Sequence, residues 1–213
     1  MAARIEHTIL FAGATRAEIG AALAEATALG CRALCVHPFW VALLRGASIP
    51  IVTVAGFPLG ADRAEVKARA AALAVEDGAS EIDMVLNLGA LKSGDPASVA
   101  ADVRAVRRAA GGRTLKAILE TGLLTRAQTE EAARLAVAEG ADFLKTSTGF
   151  GPRGATVEDV LLLRRFGRVK AAGGIRTFAQ AKALVEAGAE RLGASASAAI
   201  LLGAAGGEGA PGA

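Results

Sequence analysis

Residues 138 to 149 read Ala138-Glu139-Gly140-Ala141-Asp142-Phe143-Leu144-Lys145-Thr146-Ser147-Thr148-Gly149. The stretch contains a glycine where a helix should end, a short apolar run with strand character, and a second glycine where that run stops. The same joint recurs at Glu76-Asp77-Gly78-Ala79 and at Glu186-Ala187-Gly188-Ala189. A recurring joint predicts that one helix-to-strand unit is used repeatedly along the chain.

Eight runs have strand character, and each is predicted to be followed by a helix. The predicted strands lie at about 5–10, 33–36, 51–56, 82–87, 115–120, 142–147, 168–172 and 191–194. Capping pairs predict helix starts at Thr15 with Glu18, Thr125 with Gln128, Thr156 with Asp159, and Thr177 with Gln180, and Pro96 after Asp95 predicts another. Helix ends are predicted at Gly30, Gly78, Gly140 and Gly188.

These units predict the fold class α/β, as a single-domain TIM (β/α)8 barrel. The chain has 213 residues, which gives about 27 residues for each of eight units, at the compact end of the range for such barrels. The barrel is predicted to span residues 1–202, and the Gly- and Ala-rich tail 203–213 is expected to be mobile. A doubly wound open sheet is the alternative, although the first strand lacks the glycine-rich dinucleotide fingerprint of its Rossmann form.

Composition excludes several classes of function. The chain is 53% hydrophobic and 21% charged, with a net charge of +3, and it has no basic block that would predict a nucleic-acid partner. No apolar run approaches the roughly 18 residues of a membrane span, so a soluble, cytoplasmic protein is expected. Cys31 and Cys35 are interpreted as ordinary thiols, and two histidines, His7 and His37, are too few for a histidine-rich site. No metal and no cofactor are predicted.

Alternation along the strands predicts which side chains enter the barrel. Asp83 is expected inside because Ile82, Met84 and Leu86 occupy the other face of the fourth strand. The same alternation places Lys116 and Glu120 inside, close enough to join a shared network. Lys145 and Lys170 face inward from the sixth and seventh strands.

Two lysines in one small cavity have a chemical consequence. The charge of one disfavours protonation of the other, and a neutral amine is a nucleophile toward carbonyl groups. A lone lysine inside a barrel is more often part of an ion pair than catalytic, and Lys116 with Glu120 fits that interpretation. For Lys145 and Lys170, their pairing, the glycine loops and Asp83 favour catalysis, with Lys170 as the main source of the lowered pKa of Lys145.

The motifs resemble a known family. Phe143-Leu144-Lys145-Thr146-Ser147-Thr148-Gly149, Lys170-Ala171-Ala172-Gly173-Gly174-Ile175-Arg176 and Glu81-Ile82-Asp83-Met84-Val85 are similar to segments of deoxyribose-phosphate aldolases. The resemblance extends from about residue 4 to residue 202. It implies a class I aldolase on a TIM barrel, a lyase of carbohydrate degradation that cleaves 2-deoxyribose 5-phosphate to glyceraldehyde 3-phosphate and acetaldehyde.

The resemblance also implies roles for particular residues. Lys145 would form the Schiff base, Lys170 would be its partner, and Asp83 would shuttle protons with it. Loops after the last strands would bind the substrate phosphate, and the residues predicted for this are Gly149, Gly173, Gly174, Gly193 and Ser195. Lys116 and Thr8 are possible members of the network. Relatives form dimers or tetramers, so a homodimer or homotetramer is implied.

Several positions depart from the pattern of the family. Glu6 stands where aspartate is usual, His37 where asparagine or tyrosine is more frequent, and Ala196 replaces a serine. The chain has no tyrosine, whereas some members end in one that assists proton transfer. Two other functions stay open at this point: another phosphate-binding barrel enzyme, such as a transaldolase or a sugar-phosphate isomerase, and a non-catalytic sugar-phosphate-binding barrel.

Overall fold

The chain forms a closed barrel of eight parallel strands with neighbours in sequence order. The structure is a computed structural model, which describes the backbone of residues 1–206 and the side chains of residues 1–203. The strands are β1 (Ile5–Ile9), β2 (Ala33–Val36), β3 (Ile51–Ala55), β4 (Glu81–Val85), β5 (Thr114–Ile118), β6 (Phe143–Lys145), β7 (Val169–Ala172) and β8 (Arg191–Ala194). The predicted TIM barrel is therefore confirmed, and each strand lies within one or two residues of its expected position.

Helices surround the barrel after every strand except one. They are α1 (Arg16–Ala28), α2 (Ala64–Asp77), α3 (Leu88–Lys92), α4 (Pro96–Ala109), α5 (Arg126–Ala138), α6 (Val157–Leu163), α7 (Phe178–Glu186) and α8 (Ser197–Gly206). The prediction of a helix after β2 is wrong, because the chain there forms only two 3₁₀ turns, Pro38–Trp40 and Ala42–Leu44. Only 14 residues separate Val36 from Ile51, too few for a long helix with two connections.

Four of the predicted helix starts are formed by capping side chains. Thr15, Thr125, Thr156 and Thr177 each form a reciprocal capping box with the residue three positions later. Helix α8 continues to Gly206, so four residues of the predicted tail are helical. The rest of that tail, 207–213, lies outside the described residues. In the part of the chain that is described, no helix is long and apolar enough to cross a membrane.

The barrel interior is divided between an apolar half and a charged half. A small cluster inside the barrel is formed from β2 and β3 with Leu10 beside them, and its other members are Ala33, Cys35, Val52 and Val54. Charged side chains on the inner face come instead from β1 and from β4 to β8, and they are Glu6, Glu81, Asp83, Lys116, Lys145, Lys170 and Arg191. The main hydrophobic core lies between the strands and the helices, and includes Ile82, Met84 and Leu86 from the outer face of β4. This packing leaves Asp83 on the inner face, as predicted.

A buried ion pair outside the barrel holds β4 in place. Lys67 on α2 donates to Asp102 on α4, with a nitrogen-to-oxygen distance of 2.6 Å, and to the carbonyl of Val85, at 2.9 Å. Because the Lys67 side chain is fully buried, these contacts compensate for the cost of removing its charge from water. The pair fixes two helices to the carboxyl end of the strand that carries Asp83.

Two glycines, one just after α1 and one inside it, provide a test of the joints between helices and strands. Gly30 follows α1 with φ +64, whereas Gly20 is an exposed residue inside α1, and no atom lies within 4 Å of a Cβ added at either position. Gly30→Ala should lower the free energy of unfolding by about 1–2 kcal/mol, because an alanine is disfavoured at that φ. Gly20→Ala should raise it by about 0.5–1 kcal/mol through helix propensity. Urea unfolding of both variants gives the comparison, and equal signs would contradict the assigned role of Gly30.

Candidate active site

Three lysines from neighbouring strands converge on one carboxylate inside the barrel. Asp83 accepts hydrogen bonds from Lys116 at 2.8 Å on one oxygen, and from Lys145 at 2.8 Å and Lys170 at 2.7 Å on the other. The strand register causes this convergence, since Asp83 lies opposite Lys116 and Lys145 lies opposite Lys170. All four side chains are at most 3% exposed.

A second layer of charges lies against these four residues. Glu6 accepts from Lys170 through a short contact, from Lys116 at 3.3 Å and from Arg191 at 3.2 Å. Glu81 accepts from Lys116 at 2.6 Å and from Arg191. We call the seven residues the charged ring: Glu6, Glu81, Asp83, Lys116, Lys145, Lys170 and Arg191.

Charge balance within the ring distinguishes Lys145 from the other cations. Lys116, Lys170 and Arg191 each contact two or three of the three carboxylates, and partly exposed Arg32 also lies 3.5 Å from Glu81. Lys145 is the fourth cation and contacts one carboxylate only. A surplus positive charge in a buried site is unfavourable, and the least paired amine is the one that loses its proton most readily.

The direction of the pKa shifts agrees with this balance. Burial lowers the pKa of Lys145, Asp83 opposes that effect, and the neighbouring charge of Lys170 lowers the pKa further, so the net shift is downward. Burial is thus the largest cause, and the sequence-based expectation that Lys170 is the main source of the shift is wrong. The expected direction is confirmed.

Three other ring members, Glu6, Asp83 and Lys170, are held in their charged forms. Burial alone would lower the pKa of Lys170, but Asp83 and Glu6 outweigh it and raise that pKa. Burial would raise the pKa of Glu6, but Lys116 and Lys170 bring it down to about 2. The same lysines, together with Lys145, hold the pKa of Asp83 well below its usual value against the effect of burial. The ring therefore combines one amine of lowered basicity with neighbours whose charged forms are favoured.

A cavity of about 530 Å³ opens at the carboxyl ends of the strands. Among the members of the charged ring, only Lys145 lines it. The predicted phosphate-binding residues line the same cavity, and they are Gly149, Gly173, Gly174, Gly193 and Ser195. Thr8, which was predicted as a possible member of the lysine network, also lines it. A small molecule in this cavity therefore reaches the amine of Lys145 before any other ring residue.

Glycines allow the loops beside the cavity to approach one another closely. Gly173 has φ +91, and a Cβ there would lie 3.2 Å from the Cα of Gly154 and 3.4 Å from that of Gly149. A Cβ on Gly193 would lie 3.1 Å from Cε of Lys170. Gly193 thus leaves room for the partner lysine, and the bare backbone near Gly173 leaves N–H groups accessible to a ligand.

Comparison with known proteins identifies the family of the chain. The family model described as DeoC/LacD family aldolase matches residues 3–207. The chain belongs to this family of aldolases. The resemblance found in the sequence motifs is confirmed, and the chain is a carbon-carbon lyase by its family.

Relatives in this aldolase family cover nearly the whole chain. A protein named deoxyribose-phosphate aldolase from Thermus thermophilus is 49% identical, over 95% of this chain and 96% of its own length. A protein of the same name from Streptococcus pneumoniae is also 49% identical, over 93% of this chain and 94% of its own length. A solved structure described as a tetrameric deoxyribose phosphate aldolase from Aeropyrum pernix is 32% identical and has a TM-score of 0.88, covering 94% of this chain and 89% of that one.

The sequence analysis did not place three members of the charged ring inside the barrel. Glu81 alternates with Asp83, but the predicted strand began one residue too late to include it. Arg191 begins β8, and Glu6 lies two residues before Thr8 on β1. Alternation would have placed all three inside the barrel. The described residues hold no group of three or more His, Cys, Asp or Glu side chains that could bind a metal.

Glu120 does not join the lysine network, and this prediction is wrong. Strand β5 ends at Ile118, so alternation no longer applies two residues later. Glu120 has φ +50, and its carboxylate accepts from the backbone N–H and the hydroxyl of Thr148. The side chain is therefore directed at the loop after β6 instead of Lys116.

The lowered pKa of Glu6 predicts how the stability of the aldolase depends on pH. With a pKa of 4.5 when unfolded and about 2 when folded, the carboxylate stabilises the fold fully above pH 4.5, and this contribution is lost as pH falls toward 2. The contribution is on the order of 3 kcal/mol. Glu6→Gln should therefore flatten the decline of unfolding free energy between about pH 5 and pH 2.

Urea unfolding at several pH values measures this slope. Glu186→Gln is the control, because Glu186 is exposed on α7 and pairs only with exposed Lys182 at 3.8 Å. The control should keep the slope of the unmodified aldolase. Parallel pH curves for Glu6→Gln and the unmodified protein would contradict the role of Glu6.

Proposed function

We propose that this chain is a class I aldolase that reversibly cleaves 2-deoxy-D-ribose 5-phosphate to D-glyceraldehyde 3-phosphate and acetaldehyde through a Schiff base on Lys145. The observation that carries the proposal is that Lys145 alone joins the charged ring to the cavity. Its pKa is lowered, so the amine that faces the cavity loses its proton more readily than a free lysine, and the neutral form is the nucleophile. The names of relatives at 49% identity support the substrate.

The first step needs a neutral amine and a source of protons. Nζ of Lys145 adds to the aldehyde carbon of the open-chain sugar, and the carbonyl oxygen takes up a proton to give a carbinolamine. Loss of water then leaves a protonated imine. Lys145 and Lys170 both donate to Oδ2 of Asp83, so Asp83 and Lys170 are the groups placed to move these protons.

Cleavage uses the imine as an electron sink. The proton of the C3 hydroxyl leaves, the C2–C3 bond breaks, and its electron pair passes toward the imine nitrogen to give an enamine. Glyceraldehyde 3-phosphate departs, the enamine is protonated at C2, and water releases acetaldehyde from Lys145. Burial, and then the positive charge of Lys170, lower the pKa of the free amine and so favour its return to the neutral form between turnovers. No metal or cofactor has a place in this proposal.

The phosphate of the substrate is assigned to the glycine-lined end of the cavity. Gly173 and Gly174 precede α7, while Gly193 and Ser195 precede α8. The positive ends of both helix dipoles therefore face the region where a phosphate would bind. Gly149 completes this edge of the cavity, and the side chain of Arg176 also lines it.

Two alternatives differ from this proposal in measurable ways. A transaldolase-like enzyme would also form an imine, but it would transfer a larger fragment to an acceptor aldehyde. A non-catalytic sugar-phosphate-binding barrel would give no product and no reducible imine. The paired lysines and the lowered pKa of Lys145 favour Schiff-base chemistry over simple binding. We further propose a cytoplasmic catabolic role and a homodimer or homotetramer; the relative from Aeropyrum pernix is described as tetrameric.

Trapping should identify the amine that reacts. Incubation with acetaldehyde and borohydride should add an ethyl group to Lys145 in preference to Lys170, because Lys170 is held protonated by Asp83 and Glu6. Peptide mass mapping locates the label, and Lys145→Ala should abolish it at this site. Exposed Lys182 reports the background of nonspecific alkylation. A label on Lys170 in the unmodified protein would overturn the assignment.

A substitution in the glycine loop tests the phosphate site. Gly174→Val should lower the ratio of kcat/KM for 2-deoxyribose 5-phosphate to that for 2-deoxyribose by about tenfold or more, since the branched side chain displaces the backbone donors. Gly112→Val is the matched control: Gly112 also has positive φ, +83 against +73 for Gly174, but lies before β5 at the opposite end of the barrel. The control should lose stability and keep the ratio. An unchanged ratio in Gly174→Val would show that this loop does not read phosphate.

A further inference from the structure

The backbone at Glu120 has an unusual conformation. Its φ of +50 and ψ of +59 make it the one non-glycine residue with positive φ in the described chain. Side-chain-bearing residues are disfavoured there, and they persist where the surroundings hold them, often at functional sites. Glu120 is also buried, with 3% of its surface exposed.

The carboxylate of Glu120 is used to hold a loop. One oxygen accepts from the N–H of Thr148 at 3.1 Å and from the Thr148 hydroxyl in a short contact. The Thr148 oxygen in turn accepts from the N–H of Phe150 at 3.0 Å. These two bonds fix the amides on both sides of Gly149, and Thr148, Gly149 and Phe150 all line the cavity.

The second oxygen of Glu120 is enclosed by the same loop. It is buried and has no hydrogen-bond partner among the described residues. A Cβ on Gly151 would lie 2.6 Å from it, so the loop can close over the carboxylate only with glycine at that position. No cation forms a salt bridge with Glu120 in the part of the chain that the structure describes. Its contacts are therefore with the loop, and they do not serve the charged ring.

We propose that Glu120 is a positioning residue that fixes the loop of residues 146–151 so that Gly149 contributes to phosphate binding. The inference rests on the proposed function, in which Gly149 forms one edge of the phosphate site. The left-handed backbone turns the side chain away from the lysines and toward Thr148. Specificity for the phosphorylated sugar then depends on a residue that does not itself contact the substrate.

Two substitutions at Glu120 separate this role from a contribution to folding. Glu120→Gly removes the carboxylate while glycine accepts the positive φ, so the backbone can keep its course. It should lower the ratio of kcat/KM for 2-deoxyribose 5-phosphate to that for 2-deoxyribose about tenfold, mainly through KM. Glu120→Gln keeps an acceptor oxygen for Thr148 and should stay within about threefold of the unmodified ratio. Equal loss in both variants would overturn the hydrogen-bond assignment.

Threonine variants provide the matched comparison. Thr148→Val removes the hydroxyl that links Glu120 to Phe150, and should lower the same ratio in the same direction. Thr129→Val removes a buried hydroxyl that bonds to the carbonyl of Thr125 at 2.9 Å on α5, and Thr129 does not line the cavity. This control should leave the ratio unchanged. A loss in Thr129→Val as large as that in Thr148→Val would overturn the proposal, since the effect would then be nonspecific.

A readout without catalysis distinguishes failure of this inference from failure of the proposed function. Amide hydrogen exchange across residues 146–151 should be faster in Glu120→Gly than in the unmodified protein, and calorimetry should show weaker binding of inorganic phosphate. If the unmodified protein cleaves no 2-deoxyribose 5-phosphate, the proposed function fails, while exchange and phosphate affinity still decide the role of Glu120. If it cleaves the sugar and Glu120→Gly changes neither exchange nor the ratio, the positioning role fails and the function stands.

Discussion

The structure depends on the balance of charge inside the barrel. Three carboxylates and three firmly paired cations are buried together, and their contacts offset the cost of taking each charge out of water. Lys145 is the ring cation that contacts one carboxylate only, and it is the ring member that lines the cavity. Burial, together with the neighbouring charge of Lys170, lowers its pKa. The apolar half of the interior, around Cys35 and Val52, keeps the charges on one side where they can pair.

The fold holds this balance in place from outside the barrel. Helix α2 sends Lys67 to the end of β4, and thereby fixes the strand whose Asp83 collects three amines. On the opposite side, Arg191 and Arg168 each lie 4.2 Å from the centre of the Phe143 ring. These cation–aromatic contacts close the amino end of the barrel beneath the ring. A ligand therefore approaches Lys145 from the carboxyl end, where the glycine loops lie.

Alternation along the strands predicted much of this site from the sequence. Asp83, Lys116, Lys145 and Lys170 were all expected inside, because the residues between them are apolar and must face the helices. Glu81 was missed because strand ends are the least certain feature of a sequence pattern. Glu120 was misplaced because its left-handed backbone reverses the direction that alternation implies. Charge balance could not be predicted, since it arises only when β1 meets β7 and β8 across the closed barrel.

The closure of the barrel has a consequence for the chain during its synthesis. Glu6 meets Lys170 and Arg191 across separations of 164 and 185 residues, so the ring cannot assemble on the ribosome until nearly all of the chain has emerged. Before that point Lys145 is solvated, and its amine is protonated like that of any free lysine. An unfinished or unfolded chain therefore lacks the burial and the charged neighbour that lower the pKa of Lys145 in the folded protein, and both arise only after the last strand is in place.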